Sequence, residues 1–209
     1  MDWKSDLFDE KSLWAVFWRS PGFKDARFNM WVTIVAFALL IGFVFWDRSQ
    51  DGTSTASSFN YTDTIRSWAS LGFGFAVTIL GFLLAGFTIF ATITKPELFV
   101  ALAKETHPRS GLSLLKYAFF TFLNVFSHYL SFLALTLVIL LLGDRGGPLS
   151  AVGNCLASQF PEILHAIKQG LFVLIGGWFA VLVLKLKSII WNIYQIVLLS
   201  IAHAAKDET

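Results

Sequence analysis

The stretch Leu71–Thr94, LGFGFAVTILGFLLAGFTIFATIT, carries no charged side chain. At about 1.5 Å of rise per helical residue it is long enough to cross a hydrocarbon core of roughly 30 Å. Within it Gly74, Thr78, Gly81, Ala85, Thr88 and Thr92 recur at alternating steps of four and three, so they share one helical face. Phe73, Phe75, Phe82, Phe87 and Phe90 occupy the other faces. A line of Gly, Ala and Thr lets a second backbone approach closely, which is how helices associate where lipid removes the hydrophobic drive between them. The face is therefore expected to be a helix-packing seam. A pore or substrate groove lined by Thr hydroxyls is the second reading.

The rest of the chain belongs to the same class. Hydrophobic residues make up 56 % and charged residues 14 %, against about 25 % charge in a soluble domain. The mean hydropathy is +0.65. A net charge of +2 is too small to point to nucleic acid. The single cysteine, Cys155, excludes an intramolecular disulfide and a cysteine-cluster metal site. The first apolar run is preceded by charge of both signs and by Trp, unlike the short basic start of a cleavable signal.

Outward from Leu71–Thr94, three more spans follow from length and composition. The four are placed at 30–46, 67–94, 117–142 and 166–187. Trp31 and Trp46 bracket the first span as an aromatic belt would, and its uniformly apolar faces suit lipid. Before it, residues 1–29 form a cytoplasmic amphipathic segment. Leu7, Phe8, Trp14, Phe17 and Trp18 gather on one side of a helix over 6–19, which reads as an interfacial anchor or as a helix packed under the bundle. The polar stretches 47–66 and 143–160 read as loops. Between the second and third spans, Leu98, Phe99, Leu102 and Ala103 outline a short surface helix.

The fourth span opens near Pro161, a residue suited to a first helical turn. Its uncharged part lies between Lys168 and Lys185, whose side chains are expected to snorkel to the two interfaces. The helix then continues as a cytoplasmic extension over 188–209. With both termini inside, only Arg48, Arg66, Arg145 and Lys168 of the sixteen Lys and Arg residues lie outside, as the positive-inside rule requires. The expected fold is thus all-α: a polytopic membrane protein with four transmembrane helices, an N-terminal interfacial helix and an extended fourth helix, N-in and C-in.

Chemistry is sparse. There is no His-Glu-x-x-His, no Gly-x-Ser-x-Gly and no phosphate-cradling glycine loop, so neither an enzyme nor a cofactor is expected. The four spans hold no Asp or Glu, which argues against ion-coupled transport and against an acidic cation filter. In the third span Thr121, Asn124, His128 and Ser131 repeat at steps of three and four and form a polar stripe. His128 lies about 18 Å along the helix from Lys116, near mid-membrane. It reads as bundle glue or as a pH-dependent gate. At the inner end of the fourth helix Lys185, Ser188, Asn192 and Gln195 share one narrow polar face on a helix that is apolar elsewhere, and Lys185, Lys187, Asn192 and Gln195 mark an expected site of intersubunit or partner contact.

Two function classes fit. In the first, copies of the chain assemble into a channel or regulated pore that favours anions or is non-selective, because Lys185 and Lys187 stand at its inner mouth without acids. In the second, the protein is a non-catalytic sensor or anchor in a bacterial inner membrane. It would dock a soluble cytoplasmic partner, for example in a stress or phage-defence system, and that link is an analogy of architecture. The expected partners are membrane lipid, further copies of the chain and such a soluble protein, with no nucleic acid.

Overall fold

The computed structural model describes residues 27–50, 59–93, 96–106, 111–143 and 146–207. The amphipathic helix expected over 6–19 lies outside them. All the described elements are helices: α1 (Arg27–Gln50), α2 (Tyr61–Ile93), α3 (Pro96–Lys104), α4 (Leu114–Leu142), α5 (Pro148–Gln159) and α6 (Pro161–Asp207). Four stretches are long and apolar enough to cross a membrane: Phe28–Ser49, Tyr61–Thr92, Leu114–Leu142 and Pro161–Trp191. Four such helices put the chain among small polytopic helical membrane proteins.

Local chemistry accounts for where helices start and stop. Asn60 caps α2, its Oδ1 accepting from the Asp63 backbone N–H at 3.1 Å while its Nδ2 donates to the Asp63 carboxylate at 2.7 Å. The polar stretch read as a loop over 47–66 is shorter than expected, because α1 runs on to Gln50 and this cap starts α2 at Tyr61. The stretch 143–160 is not all loop either. Residues 148–159 form the twelve-residue α5, with Pro148 in its first turn. Phe160 then leaves helical geometry, at φ −141° and ψ 66°, as a residue preceding a proline is pushed to do. Pro161 starts α6, which runs unbroken for 47 residues, about 70 Å.

The chain divides into two compact units, one built from Arg27–Ile79 and Leu130–Leu182, the other from Leu80–Tyr129 and Val183–Thr209. In the first, half-buried positions on α1 recur at 32, 33, 36, 37, 40, 43, 44 and 47, one face of a 3.6-residue period. Aromatic rings fill gaps left by glycine. A Cβ on Gly72 would stand 2.7 Å from the Phe132 ring, one on Gly176 would stand 2.6 Å from the Trp68 indole, and one on Gly177 would collide with the Phe37 ring. Phe132, Thr136, Ile175 and Leu182 are fully enclosed. The Thr136 hydroxyl donates to the Phe132 carbonyl at 3.0 Å, so its burial leaves nothing unmet. Near the loop end, Trp68 stacks on Phe172 with centroids 4.7 Å apart, and Tyr61 donates to the Asp47 carboxylate at 2.6 Å.

In the second unit, α3 lies where the surface helix was expected. Leu102 and Ala103 bury against Leu115, with Leu98, Phe99 and Phe119 packed around them. Phe87 stacks on Phe122 at 4.9 Å. Elsewhere large apolar side chains face outward, among them Leu39 at 70 % and Phe82 at 66 % exposure. Lipid tails are as apolar as these residues, so they carry no penalty there.

Candidate functional site

Polar groups inside an apolar helix bundle are where chemistry is to be sought, and the second unit holds a compact set. Asn124 on α4 and Lys185 on α6 are both 8 % exposed. The Lys185 Nζ donates to Asn124 Oδ1 at 2.6 Å. One turn further along α4, His128 Nδ1 lies 2.8 Å from the backbone carbonyl of Asn124 and donates to it in the matching tautomer. Asn124 thus holds a cation with its side chain and an imidazole with its backbone. Lys116, two turns before Asn124, is 2 % exposed and sets its ammonium 5.5 Å from the centre of the Phe120 ring. Lys116, Phe120, Asn124 and His128 follow one another at steps of four, so a single stripe of α4 carries them.

This placement changes the reading of Lys185. Its ammonium turns to Asn124 on α4 instead of outward along α6, within the Pro161–Trp191 stretch. Lys185 stands toward the inner end of that stretch, six residues before Trp191, where a lysine costs less than the ~2.5–3.5 kcal/mol of the helix centre, and the amide oxygen offsets part of it. Lys187, by contrast, is exposed. Asn192 and Gln195 lie on the backbone of α6, and their side chains are outside the described set.

The other expected site residues fall elsewhere. Thr121 turns its hydroxyl back to the Tyr117 carbonyl at 2.9 Å, and Ser131 is exposed. The small-residue face of α2 is open along its whole length: Gly74, Thr78, Gly81, Ala85, Thr88 and Thr92 are all exposed, and a Cβ on Gly74 or Gly81 would meet nothing within 4 Å. Thr78, Thr88 and Thr92 each donate at 2.9 Å to the carbonyl four residues back, which satisfies them without water. No other helix among the described residues covers this seam. The glycines where a Cβ would meet side chains of other helices closely are Gly72, Gly176 and Gly177.

Sequence reasoning missed Lys116 and Gln169, both buried. The four-residue spacing of Lys116 from Phe120 and Asn124 was the available signal for the first. Gln169 stands four residues after His165 and meets its ring nitrogen at 2.9 Å. Among the described residues no group of three His, Cys, Asp or Glu side chains is placed to hold a metal. Comparison of the chain with family models, with curated proteins and with solved structures gives no match.

Proposed function

We propose that the protein is a non-catalytic component of a bacterial inner membrane whose copies associate into a regulated pore, one that favours anions or selects weakly. Both termini lie in the cytoplasm in this reading. The observation that carries it is Lys185, a cation held by Asn124 inside a spanning stretch and one turn from His128. An ionisable group inside a spanning stretch is a functional-site candidate by default. A lysine without acids in the spans selects against cations, as basic rings do in anion pores. The open Gly/Ala/Thr face of α2 offers the neighbouring copy a close approach. The test is chloride flux through liposomes containing the purified full-length protein. Lys185→Leu should lower the flux and Lys185→Arg should preserve it. Liposomes that stay tight under an applied voltage overturn the pore.

A second reading, a sensor or anchor that docks a soluble cytoplasmic protein, is favoured by the far end of α6. Beyond Trp191, where the spanning stretch ends, Ile193, Tyr194, Val197 and Leu198 are 43–51 % exposed. Apolar surface outside the bilayer is a mark of an interaction site. In this reading, truncation after Lys187 leaves the spans inserted and removes a co-purifying companion. A truncate that keeps its size and companions excludes it.

A further inference from the structure

A cavity of about 270 Å³ opens between α1 and α6, lined by Ile41, Val44, Gln169, Gly170 and Val173. All five belong to the first unit. Gly170 borders open space, since a Cβ there would meet nothing within 4 Å. Its wall is aliphatic except for Gln169, which is 6 % exposed and gives one end of its amide to His165. The second N–H of the same Nε2 has no hydrogen-bond partner among the described residues. An amide N–H in an apolar wall is suited to an acceptor oxygen from whatever fills the space.

The mouth of the groove is basic. Arg48 stands four residues beyond Val44 on the same face of α1, at the end of the Phe28–Ser49 stretch. It forms no hydrogen bond or ion pair with the described residues. Trp46, 59 % exposed, marks the same level as headgroup depth. An aliphatic slot in a bilayer, an amide inside it and a free guanidinium at its rim match one kind of molecule from end to end.

We propose that this groove binds a glycerophospholipid, with an acyl chain against Ile41, Val44 and Val173, the ester region at Gln169 and the phosphate at Arg48. Arg suits the phosphate because its planar fork pairs two oxygens at once.

The experiment uses the full-length protein in vesicles doped with a phospholipid carrying a photoactivatable diazirine on its acyl chain, with adducts mapped by mass spectrometry. Adducts should concentrate on Ile41, Val44 and Val173 rather than on Leu39 and Phe82, which are more exposed. Gly170→Leu fills the slot. Displacing even two methylenes corresponds to about tenfold weaker retention, so adducts in the groove should fall about that far while those on Phe82 stay. Arg48→Gln should lower labelling by the phospholipid probe and leave labelling by a diacylglycerol probe unchanged. Adducts spread evenly over lipid-facing residues overturn the proposal, as does a groove that takes no label because a second copy fills it. Equal effects of Arg48→Gln on both probes overturn the phosphate assignment. The wild-type map stands by itself if Gly170→Leu does not fold.

Discussion

Gly177→Ala adds one methyl group where the ring of Phe37 already lies. The new Cβ overlaps three atoms of that ring at once, so rotation of the ring cannot relieve the contact. Either Phe37 is driven from its rotamer or α1 moves away from α6. Overpacking of this kind typically costs about 1–3 kcal/mol. Replacing a helical glycine with alanine also gains about 0.8–1.0 kcal/mol of helix propensity, which would mask part of the loss. Gly86→Ala is the control, because a Cβ on Gly86 meets nothing within 4 Å. Both variants collect the helix gain, so the difference between them isolates the packing cost of about 1–3 kcal/mol, or roughly 5- to 150-fold in the folding equilibrium. The assay is reversible unfolding in mixed micelles, followed by tryptophan fluorescence. Phe37→Leu combined with Gly177→Ala should recover much of the loss, giving a non-additive cycle for two groups in contact. If the two alanine variants unfold at the same denaturant fraction, the packing of α1 on α6 described above is wrong.

Other expected outcomes follow from particular side chains. The Thr33 hydroxyl is buried without a hydrogen-bond partner; Thr33→Val keeps the shape, removes the unmet group and should raise stability by about 1 kcal/mol, read as a higher melting temperature in detergent. Cys155 is free and exposed on α5. With both termini cytoplasmic, a membrane-impermeant thiol reagent should label it in intact cells, and labelling only after lysis would invert the topology. Leu102→Ala opens a gap against Leu115 in the α3 cluster and should cost about 2–5 kcal/mol. Hydrogen exchange across 96–104 should accelerate, and unchanged exchange would show that α3 is held by something else.

The four spans were legible because composition and length force them, and the long fourth helix because its apolar pattern runs on past Lys187. Their ends were less legible. Asn60 extends α2 by a capping hydrogen bond, whereas the reading by hydropathy stopped at the last polar residue. α5 was hidden by its own composition, since Gly, Ser and Pro suggest a loop even where Pro148 opens a helix. The small-residue face of α2 shows a deeper limit. Spacing reveals which residues share a face, but what faces them is set by another helix, so Gly74 and Gly81 looked as suited to close contact as Gly72 and Gly176. The same holds for the polar site. Asn124 and Lys185 each stood out, yet the hydrogen bond joins residues 61 positions apart, and no local pattern encodes it.

The uninterrupted run of α6 has a mechanical consequence. Beyond Leu182 its hydrogen-bond ladder runs to Asp207 without a proline or a glycine, so this inner arm is stiff. The part beyond Lys187 is about 30 Å long by helical rise. A tilt of about 10° in the embedded part therefore swings the far tip by about 5 Å at that length, close to one helical pitch. Whatever grips the free end has leverage over the segment that carries Lys185, and a push inside the bilayer is felt, magnified, at its tip.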